Sequence, residues 1–167
     1  SMSRPMTEYK ESLSARPGLY VHVPFCTSKC PYCDFNSVAI SGPSAHPFDE
    51  ARYVDCLMAE LDSRLKSLGR TTFAPATLYF GGGTPSLLGA ESVGRFISHV
   101  KKKGGAGGLV EVTLEANPES IAEGPVSNDK LRGYLDAGLN RLSIGVQSFS
   151  DAELALLGRP HSAKEAI

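Results

Sequence analysis

The sequence predicts an α/β fold made of four successive β–α units on a parallel sheet. Three observations predict it. Short apolar runs of strand length recur at Gly18–Val23, Thr77–Phe80, Val110–Leu114 and Arg141–Val146. Between and after them lie stretches whose apolar residues repeat at three- and four-residue spacing, the period of a helix with one buried face. Glycine or proline punctuates the junctions. Strands joined through helices in this order call for right-handed crossovers, and an open doubly wound sheet and a barrel both satisfy the count.

The elements follow in order. The first strand stops at Pro24, which has no amide to donate, and the cysteine segment after it reads as a loop. Ser41–Pro47, rich in Gly, Pro and Ser, continues the loop. Ala51–Leu68 reads as a helix because Val54, Leu57, Met58, Leu61, Leu65 and Leu68 recur on one face, with Gly69 at the C-terminal cap. Cys56 lies near that stripe and reads as a small buried hydrophobe. The second strand runs directly into Gly81-Gly82-Gly83. Glu91–Val100 is the second helix, and Lys101–Lys103 suit the negative end of its dipole. Gly104–Gly108 reads as a flexible loop. The third strand is followed by a helix at Lys130–Ala137, with Asn128 as its N-cap and Gly138 beyond its end. The fourth strand leads to a helix at Asp151–Leu157, which Ser150 and Glu153 open as a capping box. Gly158-Arg159-Pro160 breaks it. Ser162-Ala-Lys-Glu165 is another helix-start signature, two residues before the sequence stops. It predicts that further β–α units follow, so that residues 17–167 are the N-terminal part of a larger core domain. Residues 1–16 read as a disordered lead, with Ser1-Met2 a tag remnant.

Composition excludes several classes. The chain has 167 residues, 41% hydrophobic and 21% charged, with a net charge of −1. That is ordinary for one globular domain and gives no electrostatic footprint for nucleic acid. No apolar run is long enough to cross a bilayer, and residues 1–16 hold no hydrophobic signal core. Four cysteines, three of them within eight residues, do not make a secreted disulfide scaffold. Free thiols imply a reducing compartment: the cytoplasm, or a mitochondrial or plastid matrix after removal of a transit peptide.

Cys26-Thr-Ser-Lys-Cys30-Pro-Tyr-Cys33 has the spacing C-x3-C-x2-C. Three thiolates so close can ligate three corners of a cubane and leave the fourth iron open to a ligand. A zinc site completed by His22 or His46, or a redox dithiol at Cys30 and Cys33, uses the same residues. His99 and His161 read as surface residues. Glycines directly after a strand let a ligand approach the backbone, and leave amides free to donate. Glu115 closes the third strand and Gln147 the fourth, the end where α/β folds keep their sites.

Cys26–Cys33 after a first strand resembles the radical S-adenosylmethionine superfamily. Tyr20-Val-His-Val-Pro-Phe-Cys26, Phe80-Gly-Gly-Gly-Thr-Pro-Ser86, Leu114-Glu-Ala-Asn-Pro118, Asn140–Ser148 and Leu157-Gly-Arg-Pro-His-Ser162 narrow the resemblance to the oxygen-independent coproporphyrinogen III oxidase family. The resemblance implies a partial (βα) TIM-like barrel of the radical SAM type, truncated to about four units. It implies a 4Fe-4S cluster on Cys26, Cys30 and Cys33, and bound S-adenosylmethionine. Gly82, Gly83 and Thr84 would contact the methionine part and Glu115 the ribose. Gln147, Arg159, Tyr20 and Tyr32 would line the same site. The oxidases of this family usually carry a further cysteine two residues after the third; Phe35 stands there. Cys33-Asp-Phe-Asn36 instead resembles the HemW-like haem chaperones. That branch implies haem as ligand, an electron donor of the flavodoxin or ferredoxin type and a haem-accepting protein, with no nucleic acid or transmembrane segment. Coproporphyrinogen oxidation and a zinc-binding interaction module are the alternatives.

Overall fold

The computed structural model describes residues 16–43, 45–104, 108–121 and 125–167. The expected N-terminal lead, save Arg16, and most of the Gly104–Gly108 loop lie outside these. Arg16 itself is bonded, its guanidinium donating to the carbonyls of Ala74, Pro75 and Gly108.

Four strands form one parallel sheet: β1 (Gly18–Val23), β4 (Thr77–Gly82), β5 (Glu111–Ala116) and β6 (Arg141–Ile144), side by side in that order. A second sheet consists of two short strands, β2 (Phe25–Cys26) and β3 (Val38–Ala39), so the cysteine segment is bracketed by strand and is not purely loop. The helices are α1 (Glu50–Ser67), α2 (Ala90–Lys103), the short α3 (Pro118–Ile121), α4 (Pro125–Ala137) and α5 (Asp151–Leu156), with a 3-10 turn at Pro85–Leu87.

The strand order settles barrel against doubly wound sheet. Each strand of the main sheet is added on the same side of the one before. With right-handed crossovers, that sends every connecting helix to one face. The residues bear this out. Val21, Val23, Leu78, Phe80, Val112 and Leu114 are buried on the helix side, where they meet Val54, Leu61, Val93, Phe96, Ile97 and Tyr134. Tyr20, His22, Tyr79, Glu111, Thr113, Glu115, Arg141 and Ser143 alternate with them and face the other way. One apolar face under helices and one polar face without them is the section of a barrel wall. The molecule is a four-strand arc of a TIM-like barrel.

Local chemistry sets the helix ends. The Asp49 carboxylate accepts the Arg52 amide at 3.0 Å, starting α1. At its end Gly69, at φ 65°, donates to Lys66 O while Arg70 donates to Leu65 O. α1 buries Val54, Leu61 and Leu65; Cys56 is exposed, because its place on the turn points away from α2 and the sheet. Leu68, at the C-cap, is also exposed. α2 carries Lys101–Lys103 in its last turn, as the dipole favours. α4 is already under way at Pro125, so Asn128 lies inside it and does not precede it. α5 has no side-chain bond from Ser150; Glu153 accepts instead from Ser148 Oγ. The predicted capping box at Ser162 is formed, with its amide donating to Glu165 Oε2 at 2.6 Å and its hydroxyl accepting the Glu165 amide at 3.3 Å. Among the described residues no helix is long and apolar enough to cross a membrane.

Candidate functional site

Where β1 ends, Pro24 turns the chain into β2, which lays Cys26 against the glycine turn that follows β4. Gly83 donates to Val23 O and Thr84 to Phe25 O, both at 2.7 Å. The approach is so close that a Cβ on Gly83 would fall 2.7 Å from Phe25 O and 3.0 Å from Cys26 Sγ. Gly82 has φ 116°, and a Cβ there would meet the His22 ring at 2.7 Å. Glycine is therefore required at both positions. Contrary to the sequence expectation, the amides are not free for a ligand: those of Gly83 and Thr84 are used on the β1–β2 segment, and that of Gly82 donates to Glu115 Oε2 at 3.1 Å.

The cysteine loop is held at both ends. Val38 donates to Pro24 O and Ile40 to Cys26 O, which closes it, and Cys33 donates to Cys30 O in a turn inside it. His22 Nε2 bonds to Asn36 O at 2.8 Å, while its Nδ1 meets the Tyr20 hydroxyl at 3.0 Å. Phe25 is wedged between Phe48 and Tyr53.

Glu115 stands on the polar face near the end of β5. The Tyr79 hydroxyl donates to its Oε1 at 2.6 Å, and that bond together with burial raises the Tyr79 pKa, burial being the larger cause. Beyond β5, Asn117 accepts from Arg159 Nη2 at 2.9 Å and donates to Thr84 Oγ1 at 3.3 Å. Arg159 also donates to Gly145 O at 3.1 Å, and its Nη1 lies 3.6 Å from Cys30 Sγ. Its side chain is only 5% exposed, and its Nε is buried with no hydrogen-bond partner among the described residues. Burial is also the largest influence on Tyr32, raising its pKa, while Arg159 pulls the other way.

β6 stops at Ile144, three residues short of Gln147, which was expected to close it. The backbone instead makes two tight turns, Val146 donating to Ile144 O and Ser148 to Val146 O. Gln147 sits in the second at φ 69°, the one non-glycine with positive φ among the described residues. Strain of this kind, about 1–3 kcal/mol, is typically kept where a side chain must be aimed.

These loops enclose a cavity of about 790 Å³. Cys26, Cys30 and Cys33 line it beside Tyr32. Gly82, Gly83, Thr84, Glu115, Gln147 and Arg159 line it too, with Asn117, Glu119 and Lys130 among the other polar residues of the wall. Tyr20 does not line it; its ring stacks on Tyr79 across the polar face, 6.1 Å between centroids. Asn117, which links Arg159 to Thr84, was missed although it lies in the segment Leu114–Pro118 that carried the resemblance. His161 was also misread. It is buried, not on the surface, between Glu119 and Val146 O.

The donor set suits a distributed cluster. All three cysteines are free and partly buried on one cavity wall. Three thiols fit three corners of a cubane cluster, whose ligands lie on separate irons.

Strand-end loops, a three-cysteine segment and a glycine turn on a barrel arc define a class. A model of the radical SAM superfamily matches residues 20–167, and the chain belongs to that superfamily. Within it the chain is similar to the HemW and HemN proteins. It is 40% identical over 150 residues to the haem chaperone HemW of Haemophilus influenzae, covering 89% of this chain and 37% of that protein. It is 43% identical over 149 residues to HemW of Escherichia coli, covering 89% and 36%. To the mouse (Mus musculus) protein called radical S-adenosyl methionine domain-containing protein 1, mitochondrial, it is 43% identical over 157 residues, covering 94% and 33%. Among solved structures, coproporphyrinogen III oxidase (HemN) from Escherichia coli, a radical SAM enzyme, superposes with TM-score 0.69 at 26% identity, covering 96% of this chain and 35% of that one. The chain thus spans about a third of the length of the curated relatives it matches.

Proposed function

We propose that this chain is the cluster- and S-adenosylmethionine-binding part of a HemW-like haem chaperone, with residues 17–167 as the N-terminal part of its core. The observation that carries the cofactor reading is the convergence of the cysteine loop, the glycine turn, Glu115, Gln147 and Arg159 on one cavity. Cys26, Cys30 and Cys33 would hold a 4Fe-4S cluster. When bound, the cluster and the sulfonium cofactor supply one-electron cleavage chemistry that the protein's own groups do not.

The chain's residues bind and orient. Arg159, buried with an unpartnered Nε, is the donor we assign to the methionine carboxylate. Its Nη1 beside Cys30 also offsets negative charge on a sulfur ligand. With the glycine amides already used, the carbonyls of Gly82 and Gly83 are the acceptors we assign to the methionine ammonium, with Thr84, whose own carbonyl takes the Leu87 amide, beside them. Glu115, steadied by Tyr79, presents its carboxylate to the ribose hydroxyls. Tyr32 and Gln147 close the wall around the adenosine.

The haem branch is supported by Phe35 at the position where the oxidases usually carry cysteine, and by 40–43% identity to two HemW proteins. Haem, a flavodoxin- or ferredoxin-type electron donor and a haem-accepting protein are then the partners, in a reducing compartment of the cytoplasm or an organelle matrix. The test is a haem titration of the full-length protein, run beside an anaerobic coproporphyrinogen assay. Stoichiometric haem uptake without porphyrinogen turnover is expected. Protoporphyrinogen formation would move the protein to the oxidase branch.

A further inference from the structure

His161 is enclosed on every side, and nothing in the cofactor reading uses it. Its side chain is 0% exposed, and a polar ring tolerates such burial only when its nitrogens are bonded. Nε2 donates to Val146 O at 3.0 Å, and Nδ1 lies 3.2 Å from Glu119 Oε2. Each partner holds something else. Glu119 Oε2 is also 3.8 Å from Arg159 Nη2, so one carboxylate oxygen stands between ring and guanidinium. Val146 O is the acceptor that closes the tight turn at Gln147, taking the Ser148 amide at 2.9 Å. Three separate segments, α3 after β5, the turn after β6 and the stretch after α5, therefore meet on one imidazole.

We infer that His161 is a positioning residue that clamps Arg159 and Gln147 in the orientation they present to the cavity. The inference rests on the reading of Arg159 and Gln147 as cofactor contacts. One arm runs through Glu119 to Arg159; the other runs through Val146 O to the strained turn that aims Gln147. The two arms are separable by substitution. In H161N the amide nitrogen falls near Nδ1 and keeps a donor toward Glu119. In H161Q it falls near Nε2 and keeps the bond to Val146 O. E119Q removes the charge shared with Arg159 and leaves the ring in place.

The experiment measures S-adenosylmethionine affinity by calorimetry on the anaerobically reconstituted full-length protein, with iron per chain and thermal midpoint read on the same samples. H161A is expected to weaken affinity on the order of tenfold, as supporting partners of bound groups typically do, while iron content stays at the wild-type level. H161N and H161Q should each recover part of the loss. Wild-type affinity in H161A, with R159A impaired, would overturn the clamp. So would a loss of iron and thermal stability in all three His161 variants in proportion to affinity, which is the mark of packing alone. R159A binding as wild type does would instead remove the reading of Arg159, and the clamp with it.

Discussion

Gly83 leaves no room for a side chain, and the lack of room matters because what lies there is a cysteine sulfur and the carbonyl before it. The turn after β4 and the loop after β1 are packed backbone to backbone, so Cys26 and the cavity wall are set by one contact. G83A should therefore displace Cys26 and lower iron loading several-fold, while G108A, whose Cβ would meet nothing within 4 Å, leaves it unchanged. Iron per chain after anaerobic reconstitution checks this; equal loading in the two variants would contradict it. At this scale the sequence was legible in which residues meet, since Cys26, Cys30, Cys33 and Glu115 line one cavity. It was not legible where distant residues decide surroundings. His161 is buried by Glu119, 42 positions earlier, and Cys56 is exposed because none of the described residues covers its side of α1. The amides of Gly83 and Thr84 are used by Val23 and Phe25 far back in the chain, and that of Gly82 by Glu115 well ahead of it, which no local pattern reveals.

Helices α1 and α2 are joined by charge as well as by apolar contact. Asp62 of α1 receives both His99, at 2.8 Å, and Lys103, at 2.9 Å, from α2, and these bonds hold its carboxyl below the usual range, Lys103 being the larger cause. A carboxyl whose folded pKa is depressed adds stability above its unfolded value, and that stability is lost as pH falls through the folded value. D62N should accordingly lower the thermal midpoint at neutral pH, with the difference closing below about pH 4. A difference that persists unchanged at lower pH would mean that the pairing is not its source. Helix existence and phase were readable from apolar spacing, and ends were less so. β6 was read as reaching Val146 because Gly145-Val146 looks like more strand; two tight turns end it at Ile144 instead.

For the whole molecule, direction of growth decides architecture. Each new strand is added on one side, the long connecting helices α1, α2 and α4 fall on one face, and the polar face is left to hold Glu115, Tyr79 and the cavity at the strand ends. The β–α count alone could not separate this arc from a doubly wound sheet, because both share local patterns and differ only in where strands join. This arc is proposed to hold a cluster with one coordination site open to S-adenosylmethionine. The most direct measurement is iron, sulfide and zinc per chain after anaerobic reconstitution, with an EPR spectrum of the reduced protein before and after adding S-adenosylmethionine. About four irons per chain and a spectrum that the cofactor changes are expected. One zinc per chain with no iron uptake, or a cluster spectrum indifferent to the cofactor, would contradict it.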